Sequence, residues 1–263
     1  MNIEEAIKER HSVRSFSGKA LSPQQVEEIS TAIKGAFSPF GGNVTIELRR
    51  YDLKGVYKPS TYGIIRNACD FLLMAMADGE ESALSAGFKM EQVVLKATEM
   101  GLGTCWIGAT FKDSDFDKGG WNIGESLRII LPIGEAFEKK SFLERIMRYT
   151  FNSKNRKPFN ELFFVDSFHA SLSEDNPFTY ALQMLRLAPS STNSQPWRAL
   201  VDGENVHFYY KPKGEWSIVD CGIALYHFYA TLQSGGHPGV FYKEEAPVVA
   251  PNNWNYLISY CLL

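Results

Sequence analysis

The strongest constraint on how this chain folds is that it repeats itself. Leu187 to Trp197 reads Leu-Ala-Pro-Ser-Ser-Thr-Asn-Ser-Gln-Pro-Trp and follows Phe178, Ala181, Leu182 and Leu185, which stand at helical spacing. It leads into the apolar run Trp197 to Val201, read as a strand. Earlier, Ser22-Pro23-Gln24-Gln25 predicts a capped helix running to about Phe37. That helix ends in Ser38-Pro39-Phe40-Gly41-Gly42-Asn43 and passes into the alternating strand Val44 to Tyr51, so Pro39 and Asn43 precede Pro189 and Asn193 by 150 positions. A second block recurs at an offset of 135: Ser85-Ala86-Gly87-Phe88 opens a helix through Met100, and Asp220-Cys221-Gly222-Ile223 opens one reaching Gly236. Gly87 to Gly101 and Gly222 to Gly236 are each 14 residues apart. Two blocks in one order predict a tandem duplication, with halves 1–150 and 151–263.

Further strands are expected at Asp70 to Ala77 and Tyr256 to Leu263, and a short helix at Ile3 to Glu9. A chain of 263 residues is long enough to bury a core without staples. The net charge of -3, with both signs scattered, leaves no basic face for nucleic acid. Cys69, Cys105, Cys221 and Cys261 are far apart in apolar settings, which reads as free thiols of a reducing compartment. No basic-then-apolar leader opens the chain and no run approaches a membrane span, so a cytoplasmic protein is the expectation. His11, His169, His207, His227 and His237 lack metal-ligand spacing, and His207 and His227 read as core or strand residues.

Two stretches carry chemistry. In an extended Arg10-His11-Ser12-Val13-Arg14, alternation turns Arg10, Ser12 and Arg14 to one side. Guanidiniums grip phosphate or carbonyl oxygens with two donors at once, so this row suits a phosphorylated ligand with an electron-rich ring, or is a solvated basic strip. The Ala188 to Trp197 loop offers backbone N–H groups and short side-chain donors to a polyhydroxylated or anionic ligand, or is a plain helix-to-strand connection. Between the halves, Arg145, Arg148, Lys154, Arg156 and Lys157 form a basic stretch: a solvated linker or part of a phosphate site.

These stretches resemble the flavin-dependent nitroreductase family. Arg10 to Arg14 is similar to its N-terminal flavin-binding motif, Ala188 to Trp197 to its helix-end loop, and Gly101 to Gly108 to its glycine-rich turn. Ile130-Leu131-Pro132-Ile133-Gly134-Glu135 and Lys154-Asn155-Arg156-Lys157-Pro158 look like its later segments. The resemblance implies an α+β fold, here two similar halves packed as an internal pseudo-dimer, each a mainly antiparallel sheet flanked by helices. Family members are homodimers with flavin mononucleotide (FMN) at the interface, the basic motif from one subunit and the loop from the other. This chain departs from that pattern: the first half keeps the basic motif with a degraded loop, Pro39 to Asn43. The second keeps the intact loop but reads Phe164 to Ala170, without arginine, where a second basic motif is expected. One complete flavin site and one vestigial site follow.

By that resemblance Arg10 and His11 approach the flavin phosphate, Ser12 the phosphate or ribityl chain, and Arg14 the N1/O2 side of the ring. Pro189, Ser190, Ser191 and Asn193 cover the ribityl and ring, with Gln195 nearby. Backbone N–H groups around Ile107, Gly108 and Ala109 face flavin N5, Lys154 and Arg156 complete the phosphate site, and Thr61-Tyr62-Gly63 lines the pyrimidine edge. The implied activity is an FMN-dependent oxidoreductase that takes electrons from NAD(P)H and gives them to a small acceptor such as a nitroaromatic or quinone. It needs no metal and no catalytic side chain, because the cofactor carries the chemistry. Alternatives are an electron carrier without efficient turnover and a reductive dehalogenase-like enzyme. The expected state is a monomeric pseudo-dimer, with further oligomerisation open.

Overall fold

The computed structural model describes residues 1–52, 59–117, 119–137 and 155–263. The chain divides into two compact units, Met1–Phe151 and Asn152–Leu263. Arg145, Arg148 and Lys154 lie outside the described residues.

The first unit opens with α1 (Ile3–Glu9), capped by a reciprocal pair of hydrogen bonds between Asn2 and Glu5. Helix α2 (Pro23–Gly35) has the expected capping box of Ser22 and Gln25, with Pro at its start. Then come β1 (Val44–Arg50), β2 (Asp70–Ala77), α3 (Glu80–Glu99), β3 (Gly103–Thr104), α4 (Asp113–Phe116) and β4 (Glu125–Gly134). The sheet order is β1-β2-β4-β3, every pair antiparallel. β2 is buried from Asp70 to Ala75, which its run of Phe71, Leu72, Leu73 and Met74 requires of a central strand covered on both faces.

The second unit contains β5 (Phe163–Val165), β6 (Ser167–Ser171), α5 (Thr179–Arg186), β7 (Trp197–Asp202), β8 (Asn205–Tyr210), α6 (Ser217–Ser234), β9 (Gly239–Tyr242) and β10 (Asn255–Leu262). Its sheet runs β6-β5-β7-β8-β10-β9, antiparallel except for the parallel pair β5 and β7. Within it, β7-β8-β10-β9 repeats the order first, second, fourth, third of the other unit. In both units a helix and a loop precede the first strand, and the long helix follows the second. One plan is thus built twice, in an α+β fold of two mainly antiparallel sheets flanked by helices.

Two expectations are corrected here. Both long helices begin earlier than the sequence suggests, α3 at Glu80 and α6 at Ser217. Gly79, at φ 119°, turns the chain out of β2, and Glu80 and Glu81 complement the helix N-terminus. Before α6, the Ser217 hydroxyl donates to Gly214 O and accepts the Lys213 N–H, closing the turn that starts the helix. Ser85 and Asp220 are therefore inside their helices, free to bond elsewhere.

The second correction concerns Phe164 to Ala170. This segment joins the sheet beside β7, whereas in the first unit Ser12 bridges Thr104 of β3. It is not the topological counterpart of the basic strip, and among the described residues β9 pairs only with β10.

Among the described residues no helix is long and apolar enough to cross a membrane. Cys69, Cys105 and Cys221 are buried free thiols, and Cys261 is half-buried.

Candidate functional site

In the first unit the basic strip is laid along the sheet edge. Val13 donates its N–H to Thr104 O at 2.8 Å, and Arg66 donates to Arg14 O at 2.8 Å. The approach is so close that a Cβ on Gly103 would lie 2.6 Å from Val13 Cγ2, so glycine is needed there. The strip's two arginines meet different surroundings. The Arg10 side chain is 7% exposed, with Nε 3.9 Å from Oε1 of the fully buried Glu91. Burial lowers its pKa, opposed by Glu91 and Cys105. Its Nε thus faces a buried carboxylate. Arg14 is half-buried, and its Nε is enclosed with no hydrogen bond among the described residues. Ser12 is half-buried; His11 is exposed, its Nδ1 3.0 Å from Glu9 O.

Glu91 also accepts the Trp106 indole N–H at 3.1 Å, fixing the start of the glycine-rich turn. The next residue corrects an expectation. Ile107 exchanges both backbone hydrogen bonds with Ile130, each at 3.0 Å, so its N–H belongs to the sheet and does not face a ligand. Gly108 is half-buried and Ala109 exposed. Thr61 is buried, with its hydroxyl accepting the Ile65 N–H, while Tyr62 is 68% exposed.

In the second unit the Ala188 to Gln195 loop is strained. Thr192, Asn193 and Gln195 have φ of 51°, 56° and 48°, a left-handed region that side chains other than glycine occupy at a penalty of roughly 1–3 kcal/mol each. A dense set of bonds holds it there. Gln195 is buried and works as an internal fastener: its N–H donates to Ser190 Oγ at 3.0 Å, Oε1 accepts the Lys157 N–H at 2.8 Å, and Nε2 donates to Asn193 O at 3.2 Å. Arg156 donates to Leu187 O at 2.9 Å and to Asn193 Oδ1 at 3.4 Å. Lys157 Nζ donates to Ser194 O at 2.6 Å and Gln195 O at 3.1 Å. Its pKa falls to about 8, through burial first and then Arg198 and Lys213, with Glu161 opposing.

The remaining clasp comes from α6. Asp220 accepts the Ser191 N–H on both carboxylate oxygens at 3.0 Å, and the Ser194 hydroxyl lies 3.5 Å from Oδ2. Burial raises its pKa to about 7, opposed by those same donors. Above this clasp Ser191 and Thr192 are exposed, and Pro189, Ser190 and Asn193 are half-buried.

The corresponding loop of the first unit is filled by its own residues. Phe40, the counterpart of Ser190, is buried edge-on against Phe88, with ring centroids 5.1 Å apart. Gly41 and Gly42 take positive φ of 78° and 74°, and a Cβ on Gly42 would lie 2.5 Å from Ser82 N. The Ser85 hydroxyl donates to Gly41 O.

Sequence reasoning missed Glu91, Asp220 and the clasping role of Lys157. For Asp220 a signal existed: it is the only acid of the stretch Ser217 to Ser234.

A family model described as "Putative TM nitroreductase" matches residues 2–232. A crystal structure from Thermotoga maritima msb8, of a "putative nitroreductase", shares 23% identity at a TM-score of 0.63, covering 100% of this chain and 93% of that one. A nitroreductase family protein from Clostridium difficile 630 shares 16% identity at a TM-score of 0.45, over 61% of this chain and 96% of that one. A nitroreductase with bound FMN from Desulfitobacterium hafniense DCB-2 shares 19% at a TM-score of 0.44, over 53% of this chain and 92% of that one. No curated protein matches the chain. With the family model spanning most of its length, the chain belongs to the nitroreductase family.

Proposed function

We propose that the chain binds one FMN and acts as an oxidoreductase, taking electrons from NAD(P)H and reducing a small organic acceptor such as a nitroaromatic or a quinone. The observation that carries this reading is the strained, heavily clasped Pro189 to Gln195 loop in a chain of the nitroreductase family. Non-glycine residues held in left-handed geometry persist where the surroundings over-determine them, as at ligand clamps.

The residues present fit the group. Among the described residues the enclosed Nε of Arg14 has no acceptor, as expected of a guanidinium that would meet a carbonyl-rich ring edge. Ser190, Ser191 and Asn193 supply short donors suited to a ribityl chain. Arg156, which bonds Leu187 O and Asn193 Oδ1 of the loop, would with Lys154 serve the phosphate. Arg10, its Nε beside Glu91, would anchor the strip and with His11 approach the phosphate.

When bound, the flavin supplies hydride acceptance and electron transfer to the second substrate. The chain's own contribution is to orient and tune. The Arg14 cation would stabilise negative charge on the N1/O2 side of the ring and so would favour electron uptake. Gly108 and Ala109, rather than Ile107, would offer amides to the N5 side.

A single site per chain is supported by Phe40, buried on Phe88 where the other loop has Ser190. The test is steady-state oxidation of NADH and NADPH by the FMN-reconstituted protein with nitroaromatic and quinone acceptors. Turnover with one nicotinamide supports the reading; flavin that neither nicotinamide reduces contradicts it.

A further inference from the structure

We propose that Asp220 is a positioning residue for the flavin-binding loop, its buried carboxylate fixing Ser191 and Ser194 in the geometry that receives the cofactor. This rests on the FMN reading above.

Asp220 does not serve its own helix. Its N–H donates to Trp216 O at 2.8 Å, so the residue is already inside α6 and its side chain is not a cap. Instead both oxygens take the Ser191 N–H, one residue before the left-handed Thr192. Thr192 is β-branched, the residue type least suited to that conformation, and its own hydroxyl bonds no further than Ser191 O, at 2.8 Å. An acceptor beneath Ser191 fixes the direction of the peptide entering the turn, which is what a strained turn needs in order to persist.

The first unit supplies a comparison. Ser85 stands 135 positions before Asp220, and Gly41 stands 150 before Ser191. The same two places touch, but with reversed polarity: Ser85 donates to the Gly41 carbonyl, whereas Asp220 accepts the Ser191 N–H. There the turn is glycine and needs no acceptor. The carboxylate therefore accompanies the loop that keeps its side chains, not the helix common to both units.

The charged groups bonded to this loop are Arg156, Lys157 and Arg198, whose Nη1 donates to Gln195 O at 3.2 Å. The rise of the Asp220 pKa comes from burial, against the Ser191 and Ser194 donors. The clasp is thus a hydrogen-bond device within a desolvated site, not a salt bridge.

The experiment is FMN titration, by quenching of flavin fluorescence, into the full chain and three variants. Asp220→Ala leaves the Ser191 N–H without its acceptor and raises Kd by roughly 10-fold or more, the scale of an orphaned buried donor. Asp220→Asn keeps an acceptor and holds Kd within about threefold of wild type. Ser85→Ala, the matched change in the other unit, leaves Kd unchanged. An unaltered Kd in Asp220→Ala, a loss in Asp220→Asn equal to that in Asp220→Ala, or an equal loss in Ser85→Ala would each overturn the proposal. Hydrogen exchange of the Ser191 amide in the wild-type chain decides the matter if Asp220→Ala does not fold. Protection is expected, and exchange at the rate of a free loop overturns the clasp. A wild-type chain that binds no FMN refutes the cofactor reading instead, and the Ser191 exchange rate still reports on the clasp.

Discussion

Both carboxylate oxygens of Asp220 accept the backbone N–H of Ser191, each at 3.0 Å. A residue that looks in sequence like the start of a helix is the support of a loop 29 residues away. The same substitution of roles holds for Ser85, whose hydroxyl reaches Gly41 O. Small polar residues that cap helices are also the ones that bond to passing backbone, and only the fold decides between the two.

Arg14→Ala should weaken FMN binding or slow flavin reduction, because the guanidinium with an unspent Nε loses its proposed ring contact. A loss of about 1–3 kcal/mol, or roughly 5- to 150-fold, is the scale for a charge-assisted hydrogen bond. Substituting Asn193 should weaken binding as well, while substituting Asn43 should leave it nearly unchanged. Titrating FMN into all three separates these outcomes. Equal effects at Asn43 and Asn193 would remove the distinction between intact and vestigial loops.

Glu91→Gln should destabilise the first unit. Arg10 and Glu91 are 7% and 0% exposed at the side chain, so removing one charge strands the other in a desolvated site. On the order of 3 kcal/mol is expected for breaking such a pair, read as a lower urea midpoint at unchanged slope. The Trp106 indole, now beside an amide, should report the change in its near-ultraviolet dichroism.

Stability should fall with pH on account of Asp220. Its folded pKa of about 7 lies above the ordinary 3.8, so the folded state binds the proton more tightly. The resulting stabilisation is full below about 3.8 and is lost as pH rises through about 7. Lys157 acts in the other sense: its folded pKa is lowered to about 8, so its contribution is present at high pH and lost as pH falls. Comparison with Asp220→Asn cancels the Lys157 part. Between pH 4 and 8 the wild type should lose on the order of 4 kcal/mol relative to the variant, in paired urea unfolding curves. A difference that does not vary with pH would contradict the burial of Asp220.

Gly103→Ala should be destabilising despite adding a single methyl. The new Cβ would lie 2.6 Å from Val13 Cγ2 and 2.7 Å from Val13 Cβ, so the strip carrying Arg14 must shift. An overpacking penalty of roughly 1–3 kcal/mol is expected in thermal unfolding, with FMN affinity reduced in parallel. Gly103→Ala/Val13→Ala should recover part of both.

Much of the fold was legible because it is local. The Ser22-Pro23-Gln25 box starts α2 where expected, and the apolar run Asp70 to Ala77 is β2 at both ends. The duplication was legible through Pro39, Asn43, Gly87 and their counterparts, and the shared sheet order bears out two similar halves. What stayed hidden depends on partners distant in sequence. Ile107 has an N–H like any other until Ile130 takes it. Arg10 and Arg14 alternate identically until one meets Glu91. Phe164 to Ala170 resembles a missing motif until β5 is seen to pair with β7.

The most direct test of one flavin site in a chain with two unequal loops is the flavin stoichiometry of the purified, FMN-saturated chain, from flavin absorbance against protein concentration. The account predicts one FMN per chain. Two per chain would show that the loop with Phe40, Gly41 and Gly42 also binds flavin, and would contradict it.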